Sequence, residues 1–293
     1  MDAARLTPPR RLEIPLPERE PDGVMTALEL GPTDRPVDLL FLHANGFHGG
    51  VYRQLLTPLG GALRVLAPDQ RGHGRSRLSA DPEGRRSWAD LRDDLVALLD
   101  RLDGPPLVLA GHSMGGTVAL LAAAARPERV SSLVLLDPVI WPRAATLMLN
   151  LPLAGRLAGR IPLVQGALRR RRAFPDRLAA VAAYRGRGAF RGWPDAVLAD
   201  YVADGFLEAG DEVRLACAAE WEASNYAAQA HDPWRALARV GRPVRVLRAA
   251  QDSTCHVLRP TRPGVTVETV DAGHFFPMTH AGVARDALFE AAV

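Results

Sequence analysis

The run Leu107-Val-Leu-Ala-Gly-His-Ser-Met-Gly-Gly116 constrains the fold more than any other part of the chain. A short, fully apolar stretch suited to a central strand ends in a serine between glycines, in the pattern G-x-S-x-G. The small-residue run Thr117–Ala125 follows at once with the composition of a buried helix. A strand and a helix joined this tightly hold the serine in a strained backbone conformation and expose its hydroxyl at the sheet edge. Gly111 and Gly115 lack side chains where the two elements must approach. The bare pattern is weak and also fits a plain glycine-rich turn; the strand–turn–helix setting makes Ser113 a candidate nucleophile. A phosphate cradle is excluded, because neither a P-loop nor a G-x-G-x-x-G pattern occurs.

The rest of the chain extends this α/β reading. Val24–Leu30, Val37–Leu42, Leu63–Ala67, Leu107–Ala110 and Leu133–Leu136 read as strands, with Gly50–Leu59 and Ser87–Leu102 as helices, the latter opened by its serine. That alternation predicts a mostly parallel central sheet with helices on both faces. After Asp137 the rhythm changes: up to about Arg239 there are helical patterns and turns but no convincing β run, and four of the five tryptophans fall here. Strands return at Val244–Leu247 and Val265–Val270, before a closing helix at Thr279–Ala292. The prediction is one core domain, residues 1–137 and 240–293, interrupted by a helical insertion at 138–239 above the carboxyl edge of the sheet, where open sheets bind ligands.

Composition narrows the function classes. At 293 residues the chain can bury a sizeable core. It contains no lysine, so neither a Schiff-base lysine nor a phosphate-loop lysine exists here. A net charge of +3 gives no electrostatic footprint for nucleic acid. The arginine run Arg169–Arg172 reads as a solvated helix face rather than a contact with an acidic substrate or membrane. Two distant cysteines, Cys217 and Cys255, argue against a disulfide framework or zinc site and fit a reducing cytoplasm. No apolar stretch is long enough to span a bilayer, and the first residues lack the apolar segment of a signal peptide. The expectation is a soluble cytoplasmic protein with a small-molecule partner, no metal, no cofactor and no membrane insertion; oligomeric state is not legible.

A serine hydroxyl needs a base. His274, in Val270-Asp-Ala-Gly-His-Phe-Phe-Pro277, follows a strand and precedes the last helix, so it reaches the same sheet edge as Ser113. Of the other histidines, His112 is beside the nucleophile and is expected to point the other way. An acid must hold the base's tautomer. Asp252, a short loop after the strand Val244–Leu247, completes the chain order serine, aspartate, histidine and is preferred. Asp137, directly after Leu133–Leu136, is the alternative; it could instead cap the insertion's first turn. Backbone amides suited to a developing oxyanion are those of Met114 and of Asn45, in the loop Phe41-Leu-His-Ala-Asn-Gly-Phe-His48; Asn45 also fits a plain turn.

His43-Ala-Asn-Gly-Phe47, Asp69-Gln-Arg-Gly-His-Gly-Arg-Ser76, Gly111-His-Ser-Met-Gly-Gly116 and Gly273-His274, in this order, resemble the α/β-hydrolase superfamily. The resemblance implies Ser113 and His274 as catalytic residues, Asp252 as the acid, an oxyanion hole at Asn45 and Met114, a cap at Pro138–Arg239, and a mainly structural Asp69–Ser76. Two departures stand out: His-Ala-Asn-Gly replaces the commoner His-Gly, and Ala249 replaces the usual glycine before the acid. A serine nucleophile argues against the epoxide hydrolase and haloalkane dehalogenase branches. Two-step acyl transfer on a carboxylic ester or lactone is favoured, with Leu147, Met148, Leu149, Leu151 and Leu153 either lining an apolar pocket or packing the cap. Thioesters, carbon–carbon bonds and perhydrolysis use the same groups, and a non-catalytic small-molecule receptor is the reading from another class.

Overall fold

The computed structural model describes residues 8–151 and 161–293. In chain order its strands are β1 (Arg10–Pro15), β2 (Val24–Leu30), β3 (Leu39–Leu42), β4 (Val65–Pro68), β5 (Leu107–His112) and β6 (Val130–Leu136). Within the insertion come β7 (Ala173–Phe174), β8 (Phe206–Ala209) and β9 (Glu212–Leu215), followed by β10 (Val244–Gln251) and β11 (Val265–Gly273). An eight-stranded sheet runs β1-β2-β4-β3-β5-β6-β10-β11. It is antiparallel at β1/β2 and β2/β4 and parallel from β4 onward. The strands β2 and β3 are consecutive in sequence yet do not pair, because β4 lies between them.

Side chains alternate across a strand, so a fully apolar strand feeds two cores. Leu107 and Leu109 of β5 pack in the layer containing the helices Ala89–Arg101 and Met114–Ala125; Val108 and Ala110 pack with the helix Ala281–Ala292. Every residue of β3, β4 and β5 is buried, which explains why these runs are unbroken rather than alternating. The edge strand β1 has no such signature: its residues are exposed or half-buried, and it is defined by pairing with β2. Ser87 does not cap the helix it was expected to open; Trp88 stands at that position and makes no side-chain cap.

The insertion is not purely helical. Its strands form a small antiparallel sheet, β7-β9-β8. Gly210 and Asp211 turn β8 into β9, with Gly210 at φ +66°, and the charged Glu208, Glu212 and Arg214 break the apolar pattern that would have marked these strands. Among the described residues no helix is long and apolar enough to cross a membrane.

Candidate active site

The elbow is built by exclusion of side chains. A Cβ on Gly111 would meet the Gly115 carbonyl carbon at 2.5 Å, and one on Gly115 would meet the carbonyl oxygens of Leu42 and His43 at 2.4 and 2.5 Å. The helix Met114–Ala125 therefore sits directly on the ends of β5 and β3. Ser113, at its N-cap, has φ +55° and ψ −121°, a conformation that costs on the order of 1–3 kcal/mol and persists only where the surroundings impose it.

His274 follows β11, and its Nδ1 lies 2.6 Å from Asp137 Oδ2. The carboxylate facing the histidine is thus that of Asp137, at the end of β6, and the preference for Asp252 is corrected. Asp252 is exposed, makes no hydrogen bond or ion pair among the described residues, and has φ +53°. The reason lies in β10, which continues past Leu247 to Gln251 before the chain turns at Asp252. Beyond that turn, Ser253 Oγ donates to Asp137 Oδ1 at 2.5 Å and the Thr254 amide to Oδ2 at 2.9 Å, while the Ala249 amide donates to Oδ1 at 2.8 Å. The loop expected to carry the acid instead cradles an acid from the neighbouring strand. Asp137 does not cap the insertion's first helix, whose N-cap is Pro142.

Burial raises the Asp137 carboxyl, but hydrogen bonds and charge from His274, Ser253 and the Ala249 amide outweigh it and hold the group at about 2. A depressed folded-state value stabilises the ionised protein: the contribution is complete above the free aspartate value of about 4 and fades as pH falls toward 2. Unfolding by urea between those pH values is expected to lose roughly 2 kcal/mol that Asp137→Asn does not lose. A variant with the same acid slope as wild type contradicts this.

His112 is not directed away from the site. It is fully buried, its ring centroid is 4.8 Å from that of His274, and its Nε2 is 3.0 Å from the His274 carbonyl oxygen. Its Nδ1 lies 2.8 Å from Tyr52 Oη, which accepts the Ala44 amide at 3.1 Å. Burial, then the proximity of His274, pushes His112 down to about 3, so it stays neutral, with Nε2–H donating and Nδ1 accepting. Three hydrogen bonds running through Tyr52 and His112 therefore tie the loop bearing Asn45 to the loop bearing His274. This tie was not legible in sequence.

The amides of Asn45 and Met114 donate to nothing among the described residues, whereas that of Gly46 donates to His73 Nε2 at 3.1 Å. The Asn45 side chain is fixed: its Nδ2 donates to the Glu222 carbonyl and its Oδ1 accepts from Asn225 Nδ2, both at 2.9 Å. Those partners lie on the helix Ala219–Ala227 of the insertion. The same helix is anchored by Trp221 Nε1 on the Arg71 carbonyl and by Trp88 Nε1 on the Asn225 carbonyl. Asp69 is wholly buried and accepts from Gly49, Thr26, Arg75 and Arg11, bracing the loops around β4.

The arginine run is not a helix face, because its helix ends at Leu168. Arg170 turns inward, donating to Glu222 Oε2 at 2.5 Å and to Tyr201 Oη at 2.6 Å. Leu147, Met148 and Leu151 are exposed, and Leu153 lies outside the described residues. The ring against His274 is instead Phe275, on which Phe47 and Trp193 pack. Among the described residues no group of three His, Cys, Asp or Glu side chains is placed to hold a metal.

A serine elbow at the end of β5, with buried Asp137 after β6 paired to half-buried His274 after β11, defines a class, and the comparisons agree. The profile described as "Alpha/beta hydrolase family" matches residues 39–287, and the chain belongs to that family. It is similar to lipase LipV of Mycobacterium tuberculosis, 41% identical over 112 residues, which are 38% of this chain and 40% of that protein. It is also similar to the monoglyceride lipase of Homo sapiens, 38% identical over 127 residues, 39% of this chain and 40% of the lipase. The chain thus spans under half the length of these relatives. In fold it resembles the crystal structure of E-2-(acetamidomethylene)succinate hydrolase, with a TM-score of 0.75 and 22% identity over 97% of this chain and 98% of that one.

Proposed function

We propose that this chain is a serine hydrolase that cleaves a carboxylic ester or lactone with an apolar moiety, through an acyl-enzyme on Ser113. The observation that carries the reading is the 2.6 Å bond between His274 Nδ1 and buried Asp137, on the sheet edge where the elbow presents Ser113. With its proton on Nδ1, His274 keeps a free lone pair on Nε2, the atom that takes the serine proton as the hydroxyl attacks the carbonyl. The unengaged Asn45 and Met114 amides are the donors for the oxyanion, and the positive end of the helix Met114–Ala125 adds to them. Collapse of the tetrahedral species expels the alcohol, protonated by His274; water, activated by the same base, then releases the acid. The insertion acts as the cap, and its Trp193, with Phe47 and Phe275, supports the apolar part of the assignment.

The test is hydrolysis of p-nitrophenyl esters of increasing chain length, a lactone and an acyl thioester, alongside labelling by a fluorophosphonate. Turnover together with label confined to Ser113 is the expected result, and the preferred member sets the bond class. Folded protein that neither labels nor turns over any member, yet binds one, is a receptor.

A further inference from the structure

Four of the five tryptophans have a partner for the indole N–H. Trp88 donates to the Asn225 carbonyl, Trp141 to Gln229, Trp221 to the Arg71 carbonyl and Trp234 to the Trp141 carbonyl. Trp193 is the exception: it is 8% exposed, and its Nε1 has no partner among the described residues. A buried N–H shut off from water without an acceptor is a cost that folded proteins seldom carry unless a ligand or water meets it.

The position of this indole narrows what meets it. Trp193 lies on the loop before the helix Asp195–Gly205 and packs on Phe47 at 5.4 Å and Phe275 at 6.0 Å between ring centroids. Phe47 is two residues beyond Asn45, and the Phe275 ring is 5.0 Å from that of His274. The unpaired donor therefore belongs to an aromatic wall that begins at the oxyanion loop and ends at the base. Apolar pockets gain selectivity from a few polar groups set among such rings. A carboxylate would call for a cation as well, and Arg170, which bonds the neighbouring Tyr201, is already engaged by Glu222.

We propose that Trp193 Nε1 is a substrate-binding donor. The molecule hydrolysed carries an uncharged acceptor oxygen, as a ketone, ether or second ester carbonyl, on the part that meets this aromatic wall. The proposal rests on the hydrolase reading above and deepens it from an apolar ester to an apolar ester bearing an acceptor. An acceptor on the acyl side and one on the alcohol side use the same donor, so both are tested.

Two pairs matched in length serve as probes: p-nitrophenyl hexanoate against its keto analogue, and butyl butyrate against methoxyethyl butyrate. Wild type is expected to prefer the oxygen-bearing member of one pair in kcat/KM. Trp193→Phe is expected to cut that member by roughly 3- to 10-fold more than the plain ester, whose own change reads the smaller ring alone, since Phe keeps an aromatic ring there and removes the donor. Equal loss in both members, or no loss in either, overturns the proposal. If the smaller ring unfolds the protein, benzothienylalanine at 193 keeps the shape without the N–H and is read in the same way. Should wild type hydrolyse no ester, the hydrolase reading fails separately, and the same pairs are titrated against Ser113→Ala with and without Trp193→Phe. A preference for the oxygen-bearing member that disappears with the indole supports the donor; no preference overturns it.

Discussion

Replacing Asp137 by asparagine is expected to lower kcat by about 10⁴-fold, whereas Asp252→Asn leaves it within about twofold. The groups around the Asp137 carboxylate are donors: the amides of Ala249 and Thr254, the hydroxyls of Ser253 and Thr254, and His274 Nδ1. An asparagine must turn an NH2 group toward some of them. If it faces His274, the imidazole accepts at Nδ1 and carries its proton on Nε2, the wrong tautomer for taking a proton from Ser113. If it faces Ala249 and Ser253 instead, the buried Ala249 amide loses its acceptor, at about 1–3 kcal/mol. Steady-state kinetics with thermal melts on both variants checks this. A loss confined to Asp252→Asn returns the acid role to the loop after β10.

Gly115→Ala is expected to remove about 3 kcal/mol or more of stability and to lower kcat in whatever protein still folds by about 100-fold. The new methyl meets two backbone oxygens, those of Leu42 and His43, at distances no real Cβ tolerates, and backbone cannot rotate aside as a side chain can. Relief requires the helix Met114–Ala125 to lift from the end of β3, separating the Met114 amide from the Asn45 loop. Gly282→Ala is the control. It sits on the helix Ala281–Ala292, where a Cβ would have nothing within 4 Å, and it should gain up to about 1 kcal/mol. Chemical unfolding of both variants, plus kinetics on Gly115→Ala, measures the contrast; a Gly115→Ala protein as stable as wild type refutes the close-approach account.

The frame was legible in sequence because its signals are local. An unbroken apolar run, a glycine-flanked serine and a small-residue helix lie within a few residues of one another, so Leu107–Gly116 announces β5 and its turn. The place of His274 beside the end of β6 was legible for the same reason, from a glycine-preceded histidine between a strand and the last helix. The acid was not. Asp137 and Asp252 both fall between Ser113 and His274, so chain order cannot separate them, and the decision rests on how far β10 runs before it turns. Ala249 was the available signal: its amide binds Asp137, and its departure from the family's glycine coincides with an acid supplied by β6. The Tyr52–His112 tie, the unpaired Trp193 and the inward turn of Arg170 depend on partners distant in sequence, which no local pattern encodes.

Asn45 also bears on modularity. An inserted cap is ordinarily exchangeable between hosts if its two ends are cut where it leaves and rejoins the core. Here Glu222 and Asn225 grip Asn45, and Cys217, Trp221, Ala236 and Leu237 pack into the same layer as the helix Met114–Ala125. A graft cut at both ends of the insertion would strip the Asn45 loop of its clamp. The earlier part of the insertion is held as well, by Arg11 and Arg75 on Asp204 and by His48 Nε2 on the Tyr201 carbonyl, so no single cut leaves a piece that the core does not grip.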